Sequence, residues 1–246
     1  MEVYWLEQTE ADVPPGNDWL SPAEAIVLKS MRFEKRRADW RLGRWTAKRA
    51  LGSFWNSTAS PLALPEIEIF AGPTGAPEVL LSDTPAAVSI SLSHRGGRAI
   101  CAASPSGGAL GCDIEIIEPH TEAFVADYFV AEEQELVAGA SLEERFQLLA
   151  LLWSGKESAL KALRTGLRLD TRSVVVTAME DSYNVNGWSP LKVRCIDGQV
   201  FHGWWRREDN FMRTLVADPP PAPPVLLGIG AYFPQTSSRY ASITGD

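Results

Sequence analysis

Gly155-Lys156-Glu157-Ser158-Ala159-Leu160-Lys161-Ala162-Leu163 lines up with Gly43-Arg44-Trp45-Thr46-Ala47-Lys48-Arg49-Ala50-Leu51, seven of nine positions being identical or similar at an offset of 112. Both stretches read as helix. Around the first, Trp40, Ala47, Leu51 and Phe54 form one apolar stripe, predicting a helix from about Glu34 to Trp55. Around the second, Phe146, Leu149, Leu152, Trp153 and Leu160 predict one from about Glu143 to Leu163. The same offset carries a hairpin, predicted from Val88 to Ala103 around a Gly96-Gly97 turn, onto a strand pair starting near Val200. Two matches at one offset indicate a duplicated unit. Helices kept apart from antiparallel hairpins indicate an α+β fold with a pseudo-twofold duplication of two similar α/β subdomains. The expected division is residues 1–108, residues 109–218 and a Pro-rich tail, 219–246. In this register Trp45 stands where the second copy has Glu157, so a metal at the acidic position can be held by one half alone.

Working outward, Ser21-Pro22-Ala23-Glu24 predicts a capped helix start. Ala109 to Ile117 alternates as a strand, as do segments at Val174–Thr177, Leu191–Cys195, Phe201–Arg206 and Phe211–Ala217. Pro219 to Pro224 holds five prolines in six residues and must be extended or irregular. The apolar run after it, Val225 to Phe233, could dock as a strand.

The 246 residues suffice for a large core, and 45% hydrophobic with 22% charged residues is the ordinary globular range. No apolar run reaches the roughly 18–20 residues of a membrane span. The first ten residues carry no secretory pattern, and Cys101, Cys112 and Cys195 lack metal spacing, so a cytoplasmic protein is expected. The net charge of −8 argues against nucleic acid. Lys29 to Arg49 nevertheless carries +7, leaving −15 elsewhere, and predicts a local anionic ligand. Arg37, Arg41, Arg44 and Lys48 fall on one stripe of the first long helix.

Asp113 and Glu115, two apart on a strand, project to one side among apolar neighbours. Such a pair is costly unless a hard cation compensates it. Glu157 and Lys161 are one helical turn apart. Together they suit Mg²⁺, with Lys161 for a phosphate. Ser93-His94 ends a hydroxyl-rich strand at a turn, a usual place for ligand contacts. No Walker loop, Rossmann glycine pattern, Cys/His cluster or Gly-x-Ser-x-Gly elbow is present. The residues point to metal-assisted phosphate chemistry.

Leu110-Gly111-Cys112-Asp113-Ile114-Glu115 and Trp153-Ser154-Gly155-Lys156-Glu157-Ser158-Ala159-Leu160-Lys161 resemble the two acidic motifs of the Sfp-type 4′-phosphopantetheinyl transferases. Ser91-Leu92-Ser93-His94 is similar to that family's Ser-His strand, and Arg32-Phe33 and Gly43-Arg44 to its basic region. Gly75-Ala76-Pro77 stands where many members have Gly-Lys-Pro. The resemblance covers roughly Met31 to Leu169 and implies a monomeric enzyme of two similar halves. It implies that coenzyme A gives its phosphopantetheine arm to a serine of an apo acyl or peptidyl carrier protein, releasing adenosine 3′,5′-bisphosphate. By the same resemblance Asp113, Glu115 and Glu157 hold Mg²⁺, Glu157 also serves as base, and Lys161 binds the pyrophosphate. Ser93, His94, Arg32, Arg37, Arg44 and Gly75 would contact coenzyme A, with Lys29 or Arg32 on the 3′-phosphate. A Mg²⁺-dependent phosphohydrolase and a non-catalytic coenzyme A-binding module are the alternatives.

Overall fold

In the computed structural model, residues 1–56, 63–105, 108–165, 169–178 and 184–228 are described. The order is β1 (Tyr4–Thr9), α1 (Pro22–Ser30), α2 (Glu34–Asn56), β2 (Ile67–Ala71), β3 (Pro77–Leu81), β4 (Thr84–Pro85), β5 (Val88–Arg95), β6 (Arg98–Pro105) and β7 (Ala109–Ile116). Then follow α3 (Glu122–Tyr128), α4 (Ala131–Gly139), α5 (Leu142–Ala162), β8 (Val174–Ala178), β9 (Ser189–Cys195), β10 (Val200–Glu208), β11 (Phe211–Asp218) and β12 (Val225–Leu226). The strands form sheets β12-β1-β6-β5, β7-β11-β10-β9-β8 and β2-β3-β4, a mixed α+β architecture. Among the described residues, no helix is long and apolar enough to cross a membrane.

α1, α2 and α5 begin where the sequence predicts, whereas α3 and α4 carry no sequence expectation. Ser21 caps α1, accepting from the Glu24 N–H while Glu24 returns to the Ser21 N–H. In α2, Ala47 and Leu51 are buried, with Trp40 and Phe54 packed at the edge of the same core. β12 pairs parallel to β1, so the start of the apolar run after the prolines does dock as a strand. Its continuation from residue 229 lies outside the described residues.

The internal repeat is visible in three dimensions, in a different register. Lys48, in the middle of α2, is fully buried, pairs with Glu24 at 2.6 Å and donates to the carbonyls of Trp19 and Leu64. Lys156, in the middle of α5, is fully buried, pairs with Glu133 at 2.8 Å and donates to the carbonyls of Thr171 and Val174. Each glutamate starts the preceding short helix and also accepts a strand N–H, from Ile69 or from Val176. Beside each lysine stands an edge-to-face aromatic pair at 5.2 Å, Trp19–Trp45 and Tyr128–Trp153. The equivalent helical residues are thus Trp45-Thr46-Ala47-Lys48-Arg49 and Trp153-Ser154-Gly155-Lys156-Glu157, at an offset of 108. The sequence match at 112 is one helical turn out of register, because small residues recur every turn. Glu157 is therefore matched by Arg49, not by Trp45.

The cationic stripe of α2 is also corrected. Lys48 serves the core, Arg44 lies over the Trp40 ring at 4.9 Å and 3.8 Å from Glu24, and Arg41 donates to the carbonyls of Pro14 and Gly16. Arg37 alone of the four stays exposed.

Two contacts fix α5 against β7 and its neighbour β11. A Cβ built on Gly111 would meet the Ser158 carbonyl oxygen at 1.8 Å, so only glycine permits the approach. The Ser154 and Ser158 hydroxyls reach the Thr214 hydroxyl on β11, at 2.8 and 2.7 Å. β5 lies beside β7, where the Cys112 N–H donates to Ser91 Oγ at 2.9 Å. Across the two halves, Glu7 accepts from the almost fully buried Arg213 (2.8 Å) and from Arg98 (2.9 Å).

Breaking a buried pair leaves a lone buried charge, which costs about 3–5 kcal/mol. Lys156→Met is expected to lower unfolding stability by that amount in a denaturant titration, whereas Lys35→Met, at an 87% exposed side chain, leaves the midpoint unchanged. Burial pushes the Glu7 carboxyl up, but its bonds from Arg213 and Arg98 outweigh this and hold it below the ordinary 4.5. Its contribution is complete above that value and is lost as pH falls through the lowered pKa. Glu7→Gln should therefore flatten the decline of melting temperature as pH falls below about 5, measured against the parent protein.

Candidate active site

Side chains from β5, β7 and α5 meet at the seam between the halves. Asp113 is buried, and its Oδ1 accepts from Lys161 Nζ and from Ser93 Oγ, both at 2.7 Å. Its Oδ2 is buried without a hydrogen-bond partner among the described residues. Lys161 also donates to the Cys112 carbonyl at 3.2 Å. Burial works against the Lys161 ammonium, but Asp113 more than restores it, so its pKa lies above the ordinary value and the charge stays.

Glu115, two residues along β7, is pushed up to about 7, first by burial and then by the charge of Asp113, against the pull of Arg95 and Trp153. Its Oε1 accepts the Trp153 indole N–H at 3.0 Å and its Oε2 lies 3.3 Å from Arg95 Nε. Burial, and again Asp113, raise Glu157, with Lys161 opposing. The charge of Asp113 disfavours that of Glu115 and of Glu157, and desolvated carboxylates so placed, one of them with a buried oxygen that no described residue bonds, fit a hard divalent cation. They are not gathered in advance: among the described residues no three His, Cys, Asp or Glu side chains form a metal-binding group. Glu115 is engaged by Arg95 and Trp153 instead.

The N-terminal half contributes a cleft of about 470 Å³ lined by Phe33, Lys35, Arg36, Asp39, Trp40 and His94. It joins the start of α2 to the end of β5. His94 is held below its ordinary pKa, mainly by desolvation, with Asp39 opposing and Lys161 and Lys35 adding to it. An imidazole, a guanidinium, an ammonium and two aromatic rings around one opening suit an anion that carries a flat group.

Asp113, Glu115, Glu157 and Lys161 thus share one neighbourhood, and His94 lines the adjoining cleft. Ser93 binds Asp113 rather than facing the cleft. Arg32, in the linker between α1 and α2, and Arg37, on α2, are exposed and do not line it. Arg44 is committed to Glu24 and Trp40. Gly75 sits in the β2–β3 turn at φ +87°, with no atom within 4 Å of a built Cβ. The sequence names Phe33 only beside Arg32 in the basic region and Trp40 only in an apolar stripe, and it gives neither Lys35 nor Arg36 a role of its own. Lys35 and Arg36 belong to the +7 window, but the window alone does not say which of its cations face one opening.

Residues 109–207 match the model of the 4′-phosphopantetheinyl transferase superfamily. That segment contains Asp113, Glu115, Glu157 and Lys161. Among curated proteins none matches the chain. Two solved structures overlap it: a holo-(acyl-carrier-protein) synthase from Bacillus anthracis str. Ames in complex with CoA (3′,5′-ADP), at 18% identity over 43% of this chain and 96% of that one, TM-score 0.35; and the holo-[acyl-carrier-protein] synthase of Thermotoga maritima, at 17% identity over 52% and 74%, TM-score 0.35. Where it matches a family, the chain is thus similar to the phosphopantetheinyl transferases, over the segment that supplies its carboxylates.

Proposed function

We propose that this protein transfers the 4′-phosphopantetheine arm of coenzyme A to a serine hydroxyl of an acyl or peptidyl carrier protein, in the Sfp-type manner and with Mg²⁺. The observation that carries the reading is Asp113, a buried carboxylate with one oxygen unpartnered, lying beside Lys161 inside the segment that matches the transferase superfamily. Asp113, Glu115 and Glu157 would hold the Mg²⁺, whose chemistry is to offset charge on pyrophosphate oxygens.

The protein's own groups do the rest. Lys161, kept cationic by Asp113, binds the pyrophosphate and meets the charge that grows on the leaving nucleotide. Glu157, whose pKa burial raises above its ordinary value, accepts the serine proton as the serine oxygen bonds to the pantetheine-side phosphorus. The bond from that phosphorus to the bridging oxygen breaks, and adenosine 3′,5′-bisphosphate leaves with the electron pair. His94, Lys35 and Arg36 receive the nucleotide phosphates, and Trp40 and Phe33 offer faces to its base. In this reading residues 1–108 bind the nucleotide, residues 109–218 carry the chemistry, and the enzyme works as a cytoplasmic monomer. The duplication within one chain and three buried free cysteines are in keeping with that.

Two measurements test this. Mass spectrometry of apo carriers incubated with coenzyme A and Mg²⁺ should show one added phosphopantetheine. Glu157→Gln should slow the transfer by about 10²–10⁴-fold at unchanged melting temperature. Coenzyme A cleaved without any carrier, or a Glu157→Gln enzyme of near-parent rate, would refute the reading. Arg36→Ala should raise KM for coenzyme A roughly tenfold with little change in kcat, as expected on losing one charged contact made equally in ground and transition states.

A further inference from the structure

A guanidinium stands where a cation site needs negative charge. Arg95, the last residue of β5, places Nε 3.3 Å from Glu115 Oε2 and Nη2 2.7 Å from Glu118 Oε1. Its placement is built into the turn that follows. Gly96 and Gly97 adopt φ of +56° and +74°, and a Cβ on Gly96 would come 2.8 Å from Ile116 Cδ1. The turn therefore lies on the end of β7, which brings Arg95 over Glu115. With Trp153 on its other oxygen, Glu115 has both oxygens engaged by protein donors, while Asp113 Oδ2 has none among the described residues. The Arg95 side chain is 46% exposed and that of Glu115 19%, so the guanidinium has solvent to swing into while the carboxylate stays.

Resting on the function proposed above, we propose that Arg95 is an internal counter-cation that sets the affinity of the site for its divalent ion. It neutralises Glu115 until the ion arrives, and Glu118 retains it afterwards. Binding then exchanges one positive neighbour of Glu115 for another. The cost of moving Arg95 is subtracted from the affinity that three carboxylates would otherwise show. This accounts for the absence of a gathered ligand group among the described residues.

Mn²⁺ binding, followed by loss of the free-ion electron paramagnetic resonance signal without coenzyme A or carrier, tests the proposal. Arg95→Met should bind Mn²⁺ roughly fivefold or more tightly than the parent, from removal of one charge beside a ligand, and Arg95→Lys should stay near the parent. Adding Asp113→Asn to Arg95→Met should abolish the gain. Equal or weaker binding by Arg95→Met, no Mn²⁺ binding by either protein, or a gain that survives Asp113→Asn overturns the proposal. The two readings fail separately. Tighter Mn²⁺ binding with no transfer to any carrier removes the proposed activity and leaves the role of Arg95. Transfer with Mn²⁺ affinity unmoved by Arg95→Met does the reverse.

Discussion

A fully buried lysine, clamped by the glutamate that opens the preceding helix, is the constraint on which each half depends. An ammonium inside a protein core is tolerable only when every donor is used. Lys48 and Lys156 meet this with a carboxylate and two carbonyls apiece. Each clamp ties a short helix, a long helix and, through the second oxygen of the glutamate, a strand. Long helix and sheet are thereby locked in rotation as well as in distance. Because α5 cannot turn about its axis, Glu157, next to Lys156, and Lys161, a little over one turn further on, are delivered to the β7 side. The bare Gly111 backbone lets the helix come close enough for Lys161 to reach Asp113.

The two halves show what duplication preserves and what it releases. The clamps and the aromatic pairs persist. Site positions do not. The hairpin turns Gly96-Gly97 and Asp209-Asn210 are equivalent at an offset of 113. Through them, Leu6, opposite Cys101, matches Asp113, opposite Thr214. Glu157 is matched by Arg49. One half thus has an apolar residue and a cation where the other has two carboxylates. A cation site could not form in both halves, and the first half is free to gather positive charge for an anion. The cleft residues Lys35, Arg36 and His94 lie on that side of the seam.

Much of this was legible in the sequence because periodicity reports burial. The limits of α2, α5, β5 to β7 and the last hairpin followed from apolar spacing and from the Gly-Gly turn. β1, β2 and β3, together with α3 and α4, were not read, being short and weakly patterned. The helical register was misread by one turn, since Gly and Ala recur at turn spacing and carry less information than the buried Lys48 and Lys156. At the site, Asp113, Glu115, Glu157 and Lys161 were legible because carboxylates among apolar neighbours demand a reason. The partners of Arg41, Arg44 and Lys48 were not. A cation that holds a core and a cation that awaits a phosphate look alike until the carboxylates and carbonyls around them are placed.

The same limit bears on the carboxylates themselves. Motif spacing suggests three acids waiting around a point, but electrostatics disfavours that arrangement before an ion is present. Asp113 raises both neighbours, and like charges brought together in a desolvated seam must take up protons, move apart or borrow a cation. This protein borrows two. Lys161 covers one oxygen of Asp113, and Arg95 covers one oxygen of Glu115. Their exposures differ: Lys161 is 28% exposed and Arg95 46%. The more enclosed ammonium is a fixed part of the site, whereas the more exposed guanidinium has water to withdraw into. A divalent ion entering the seam would therefore meet one enclosed positive neighbour and one with solvent to withdraw into, so the proposed site would hold its charge in check without the ion yet open to it.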